Sequence, residues 1–255
     1  RDFSPGAQAA NALGVGLRLV NWLADLIFPR RAALAPNLAQ SLNEWIALPE
    51  PDAHEALAQA RWVVVDVESS GLDMRRDRLI SIGAVAVQGE TISFADSFDI
   101  VLKQDAVSPT DNILVHGIGN AAQREGAPPA EALLRFLHYL GKSRLVAYHA
   151  AFDEAMIGRA MQTYLGLKFK RHALDLAYLA PALFPSKQRS LDDWLTHFGI
   201  PTFARHNALS DAYSTAQLFQ VSLKQASLQR LQTCVQLNHL ERAFYELSRM
   251  ESSAS

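Results

Sequence analysis

The chain has a single cysteine, Cys234, among its 255 residues. No intrachain disulfide can form, and nothing marks a secreted, disulfide-stapled scaffold. Cys234 itself reads as a buried apolar filler on a helix. Excess charge is also scarce. Lys and Arg number 24 against 26 Asp and Glu, a formal net charge of −2. That excludes a protein built to coat nucleic acid through a global basic field. It leaves room for an enzyme whose clustered carboxylates are offset by bound cations. A long uninterrupted apolar run is missing too. Residues 7–28 are the most apolar stretch near the start, but Arg18, Asn21 and Asp25 interrupt them. They read as a helix with one broad apolar face and not as a membrane span. No cleavage-type signal, internal repeat or low-complexity segment is present. The chain opens on Arg1 and not Met, so its natural start is expected upstream. The expectation is a cytoplasmic protein without membrane contact.

Apolar residues make up 49% of the chain, enough for a well-buried core. Residues 37–48 place Leu38, Leu42, Trp45 and Ile46 at helical spacing. Pro49 and Pro51 then break the chain, and 52–60 read as a short helix with Asp52 at its cap. At 61–68 the character changes. Val63, Val64 and Val65 form a β-branched run without polar alternation, as in a strand buried on both faces. Residues 78–89 and 91–102 read as two further strands joined by a tight turn at Gly89-Glu90. Helices are predicted over 128–141, 152–166, 190–200 and 207–225, and a strand over 144–149. Residues 172–184 fit a strand end or a short helix. The tail, 226–250, carries an apolar stripe and reads as one long terminal helix. This order indicates an α/β fold with a mixed sheet. Three parts are expected: a helical N-terminal extension (1–60), a central domain (61–225) and a C-terminal helix with its tail (226–255).

The chemistry is carried by carboxylates on three separate segments. Asp66 and Glu68 end the valine run, and period-two alternation points both to one face. Taken alone, the pair also fits a strand that has reached solvent. Asp153 sits in the first turn of a predicted helix, where the helix dipole alone would favour an acid. Asp211 lies in the first turn of another, five residues after His206. A neutral imidazole beside a cation-held water is placed to accept a proton. A histidine near a helix start is also commonly just a surface residue. Four carboxylates on three elements suit two divalent cations and the hydrolysis of a phosphodiester. Oxygen donors favour Mg²⁺ or Mn²⁺ over zinc.

The motifs resemble those of the DnaQ-like, DEDDh-type 3′→5′ exonucleases, a family that includes the proofreading subunit of bacterial replicative polymerases. Residues 66–71, DVESSG, match the family's D-x-E-[TS]-[TS]-G at every fixed position. Residues 206–211, HNALSD, match H-x-A-x-x-D. The second motif, H-N-A-x-F-D in its common form, is here Tyr148, His149, Ala150, Ala151, Phe152, Asp153. Tyr and His replace His and Asn, which changes the substrate-facing contacts expected there but keeps the carboxylate. The resemblance covers roughly residues 61–223. It implies a ribonuclease-H-like sheet flanked by helices, with extra helices at both ends. It implies Asp66, Glu68, Asp153 and Asp211 as ligands of two Mg²⁺ or Mn²⁺ ions and His206 as general base. Ser69, Gly71, Leu72, His149 and Phe152 are expected beside the substrate. The partner is expected to be nucleic acid with a free 3′ end, DNA first and RNA or a short oligonucleotide as alternative. A polymerase-binding module with weak hydrolysis is the competing class. A homodimer or a polymerase-type protein partner is also open. Among weaker signals, Tyr148 reads as a core aromatic and Asp175 as a structural carboxylate. His116 in VHGI resembles a family segment. Arg75, Arg76, Arg78, Lys168, Lys170 and Arg171 are basic residues able to contact phosphates or simply to be solvated.

Overall fold

The computed structural model describes residues 34–106, 108, 113–114, 116–185, 190–202 and 205–254. The apolar segment 7–28 lies outside them. The chain divides into two compact units, Arg1–Ala39 and Gln40–Ser255. The described part of the first, residues 34–39, opens helix α1 (Pro36–Ala47). Among the described residues, all the strands and the remaining helices belong to the second.

A five-stranded sheet of order β3-β2-β1-β4-β5 forms its centre. The strands are β1 (Arg61–Ser69), β2 (Leu79–Gln88), β3 (Thr91–Val101), β4 (Arg144–Ala147) and β5 (Ala173–Asp175). β1 runs antiparallel to β2 and parallel to β4. β3 is antiparallel to β2, and β5 is parallel to β4. The sheet is therefore mixed, as the element order predicts. β1 is central, which explains the valine run: Val63, Val64 and Val65 are all buried. Gly89 takes φ 58° in the two-residue turn between β2 and β3, a conformation that favours glycine.

Helices α2 (Asn120–Glu125) and α3 (Pro129–Leu140) follow the meander, and α4 (Ala150–Tyr164) follows β4. α5 (Leu176–Leu183), α6 (Leu191–His197), α7 (Ala208–Leu228) and α8 (Cys234–Ala254) complete the chain. Trp62 and Val64 of β1 face a core built from α5 to α8, where the Trp62 and Phe219 rings meet edge-on at 5.3 Å. The strand pleat sends Asp66 and Glu68 to this same face, the one crossed by α7. No described helix is long and apolar enough to cross a membrane.

Two sequence expectations need correction. Residues 52–60 are not a helix. Ala56 bridges Thr233, the Leu57 N–H bonds to the Gln232 carbonyl (2.8 Å), and Cys234 N–H bonds to Glu55 (3.0 Å). A nine-residue helix nucleates poorly, and pairing with a distant segment satisfies the same backbone groups. Asp52 accepts from His54 N–H at 2.9 Å, closing a turn and not a helix cap. The tail is likewise not one helix. α7 runs on to Leu228, Arg230 turns at φ 63°, and α8 starts at Cys234. The Gln236 side chain reaches back to the N–H groups of Gln232 (2.8 Å) and Thr233 (3.1 Å). Thr-x-x-Gln is a capping-box pattern, so the signal for this restart lay in the sequence. α8 packs chiefly against α5 and also touches β5.

Candidate metal centre

β1 carries Asp66 and Glu68 at its C-terminal end, opposite Gly83 and Ser81 of β2. α7 brings Asp211 to them. Its N-cap is Asn207, whose side chain accepts from Ser210 N–H at 3.1 Å. A methyl group on Gly83 would collide with the backbone of Ala208 and Leu209. Glycine there lets the first turn of α7 lie directly on the sheet. The result is that one carboxylate oxygen each of Asp66, Glu68 and Asp211 fall within 4.8 Å of one another.

Asp153, in the first turn of α4, is buried. It stands outside that group of three but near enough for its charge to act on Asp66. Burial pushes the Asp66 carboxyl well above its ordinary range, and Asp153, Asp211 and Glu68 add to the rise, while Arg205 opposes it. Burial is also the main cause for Glu68, pushed up to about 7, with Asp211 next. Asp153 is raised chiefly by burial, and hydrogen bonds from the backbone at Asp153 and Val67 pull it partly back. So many half-desolvated carboxylates with one guanidinium among them form a site short of positive charge. An all-oxygen donor set of this kind fits hard divalent cations such as Mg²⁺ or Mn²⁺.

Arg205 was not singled out by sequence reasoning. Its guanidinium meets Asp211 Oδ1 and, through Nε, Asp192 Oδ1 at 3.0 Å. The other Asp211 oxygen accepts the His206 N–H at 2.9 Å. Asp211 is thus held at both oxygens by residues just before its own helix. The His206 side chain is exposed, and its backbone is left-handed, φ 61°. His149 repeats the device: φ 61°, exposed, immediately before α4. Histidine tolerates this region better than most residues. Its N–H bonds to Asp175 Oδ1 (2.9 Å), and Ala150 N–H bonds to Oδ2 (3.0 Å). Ala177 N–H also reaches Oδ1, which makes Asp175 the N-cap of α5. Asp175 is therefore a hinge pin for two helix starts.

Ser69 Oγ donates to the Gly71 carbonyl (2.6 Å), and Ser70 Oγ donates to Asp77 (2.8 Å). A side chain on Gly71 would strike Asp77, so that glycine has a local packing reason. Leu72 at the loop's tip is 87% exposed, a large apolar side chain in solvent beside the carboxylates' strand. Phe152 is half-buried next to Asp153. Tyr148 packs on the core, and burial lifts its phenol to about 12. His116 is buried, with Nδ1 accepting from Ile118 N–H at 3.0 Å.

Residues 63–219 match the family model described as Exonuclease, of the RNase T type. The chain belongs to this exonuclease family. Over 160 residues it is 33% identical to a PolC-type DNA polymerase III of Thermotoga maritima, covering 63% of this chain but only 12% of that one. Over 165 residues it is 32% identical to the DNA polymerase III epsilon subunit of Aquifex aeolicus, covering 64% of this chain and 80% of the subunit. Among solved structures, the chain resembles Escherichia coli exonuclease I bound to a dT13 oligonucleotide, with a TM-score of 0.56 and 18% identity over 67% of this chain and 42% of that one. It also resembles exonuclease X bound to 5′-overhanging duplex DNA, with a TM-score of 0.56 and 19% identity over 71% of this chain and 99% of that one. These likenesses establish the ribonuclease-H-like fold.

Proposed function

We propose that this exonuclease is a metal-dependent enzyme that removes nucleotides from the 3′ end of nucleic acid, DNA in preference, releasing nucleoside 5′-monophosphates. The observation that carries the reading is the meeting of Asp66, Glu68 and Asp211 within 4.8 Å beside buried Asp153. These four carboxylates would hold two Mg²⁺ or Mn²⁺ ions. Such ions, when bound, supply Lewis-acid polarisation of a phosphoryl group and a more acidic water. His206, on its exposed loop, would take the water's proton at a ring nitrogen. Arg205 and the His206 N–H keep Asp211 pointed at the site. Ser69, Gly71, Leu72, His149 and Phe152 would line the path of the terminal nucleotides, with Leu72 offering an apolar face to a base.

Residues 61–225 form the exonuclease domain in this reading, with 1–60 and 226–255 as flanks. The cytoplasm is where such an enzyme meets free 3′ ends. A second reading has a specific motive, since the PolC-type relatives are polymerases of which this chain spans 12%. In it the chain serves a polymerase-type partner and hydrolyses little alone. A homodimer is the other assembly in view.

Matched DNA and RNA oligonucleotides labelled at the 5′ end decide between these. A ladder of shortened labelled products with Mg²⁺ or Mn²⁺, none with chelator, is expected. Release of the label as a mononucleotide at the start of the reaction would mean the opposite polarity. No products from either polymer would favour the binding module.

A further inference from the structure

The chain's near-zero net charge hides a cationic groove away from the carboxylates. A cavity of about 570 Å³ opens by the N-terminal ends of β4 and β5, between Trp45, Lys142 and residues 167–172. A second hollow of about 510 Å³ shares residues 169–172 with it and reaches Ala151 and Glu154 in the first turn of α4. Together they form one groove. One end lies two residues in sequence from both His149 and Asp153; the other lies at Lys142.

Along this groove the side chains alternate. Lys168, Lys170 and His172 are exposed, while Phe169 and Arg171 are half-buried. Neither Lys168 nor Lys170 pairs with an acid among the described residues. Deeper in, Lys142 and Arg171 both hold Glu50, at 3.1 and 2.5 Å. The two cations are 11% and 15% exposed, whereas Glu50 is 66% exposed. Lys142 Nζ stands 3.9 Å from the centre of the Trp45 ring, and that ring's Nε1 is tied to the Gly141 carbonyl at 2.7 Å. The fold has thus fixed two desolvated cations facing one exposed carboxylate. An oxyanion from outside can take that carboxylate's place.

We propose that this groove binds the phosphodiester backbone of the nucleic-acid substrate on the 5′ side of the scissile bond. Lys168 and Lys170 contact it from the rim, and Lys142 and Arg171 take a phosphate in place of Glu50. The groove is concave and cationic, and one end is lined by Ala151 and Glu154 of the helix that also carries Asp153, which suits a strand whose end is held at the carboxylates. A flat anionic membrane does not fit such a hollow. The assignment rests on the exonuclease reading for the polarity of the strand but not for the binding itself.

The test is fluorescence anisotropy of a labelled single-stranded oligonucleotide of about 20 nucleotides, longer than one typical site, with chelator present so that nothing is cut. The Lys168→Glu/Lys170→Glu protein should bind at least about tenfold more weakly, and its log K against log salt slope should shrink by about 1.4, the worth of two phosphate contacts on a single strand. Lys168→Gln/Lys170→Gln should show the same slope change, and melting curves would establish that both fold. Glu50→Gln should bind more tightly than wild type. With metal, cleavage of a dinucleotide, too short to reach the groove, should be unchanged in the lysine variants. Wild-type binding and slope in both lysine pairs would overturn the proposal, and so would attachment to anionic vesicles without affinity for the oligonucleotide. A wild type that binds through these lysines yet cuts nothing would leave the groove standing and remove the exonuclease reading. A wild type that cuts, with lysine variants that bind like it, would do the reverse.

Discussion

Gly83 of β2 and Ala208 of α7 touch so closely that no side chain fits between them. The same glycine lies opposite Asp66, and Ala208 lies three residues before Asp211. The backbone approach therefore sets how near the third carboxylate comes to the first. Gly83→Ala would push the start of α7 off the sheet. We expect a loss of about 1–3 kcal/mol from overpacking, together with weaker Mn²⁺ binding and low activity. Thermal melting and Mn²⁺ titration check this. A variant with wild-type metal affinity would mean that α7 is not held by this contact.

Crowding at the centre has a signature in stability against pH. The Glu68 carboxyl has an ordinary value of 4.5 and stands at about 7 in the folded chain. Ionised Glu68 is thus less favourable folded than unfolded. Its contribution to stability is fully present below about 4.5 and is lost as pH rises through about 7. Asp66 is shifted in the same direction, chiefly by burial. Metal-free protein should therefore lose stability from about pH 4.5 to 7, and saturating Mg²⁺ or Mn²⁺ should flatten or reverse that trend. Denaturant melts across this range, with and without metal, measure it. A metal-free protein that gains stability over the same window would contradict the charge arrangement.

Removing one charge should separate stability from function. Asp66→Asn relieves repulsion from Asp153, Asp211 and Glu68. At neutral pH the metal-free variant should melt at or above the wild-type temperature. Metal at about 100 times the wild-type Kd should stabilise the wild type by about 2.7 kcal/mol and the variant much less. Nuclease activity should vanish with the metal response. A variant that still responds to metal as the wild type does would remove Asp66 from the ligand set.

Asp175 should behave as a structural acid. Its carboxylate takes three backbone N–H groups, from His149, Ala150 and Ala177. Asp175→Ala would strip caps from α4 and α5, at a cost of about 2–4 kcal/mol. Asp175→Asn keeps one acceptor oxygen and should recover part of that. If Asp175 were instead a metal ligand, Asn would lose metal affinity as fully as Ala while remaining stable.

The parts of this molecule legible in the sequence were those with local signals. The valine run, the Gly89-Glu90 turn and the acids of DVESSG and HNALSD each announce themselves within a few residues. Ser190 and Asp193, three residues apart, form a capping box at the start of α6. What was hidden depended on partners distant in sequence. Gly83 reads as an unremarked small residue in a strand until α7 is laid on it. Arg205 reads as one scattered charge until Asp192 and Asp211 flank it. Residues 52–60 have helical composition, yet Thr233 and its neighbours claim their backbone.

The two left-handed histidines allow the proposed base to be tested without disturbing the backbone. His206 and His149 share φ 61°, each precedes a helix, and each donates its N–H to a carboxylate: Asp211 for one, Asp175 for the other. An alanine at either place would add backbone strain to the loss of the ring. Asparagine tolerates the left-handed region, so it removes the imidazole alone. His206→Asn should cut the turnover rate by about 10²–10⁴-fold, the usual worth of a positioned base. Mn²⁺ affinity should hardly change, because the carboxylates are the ligands and the N–H to Asp211 persists. His149→Asn, which restores the residue common in the second motif, should keep the fold and most of the activity. Single-turnover rates and Mn²⁺ affinities of the two variants provide the comparison. A nearly silent His206→Asn beside a crippled His149→Asn would move the base to the second motif. It would mean that the Tyr148-His149 departure marks a rearranged site.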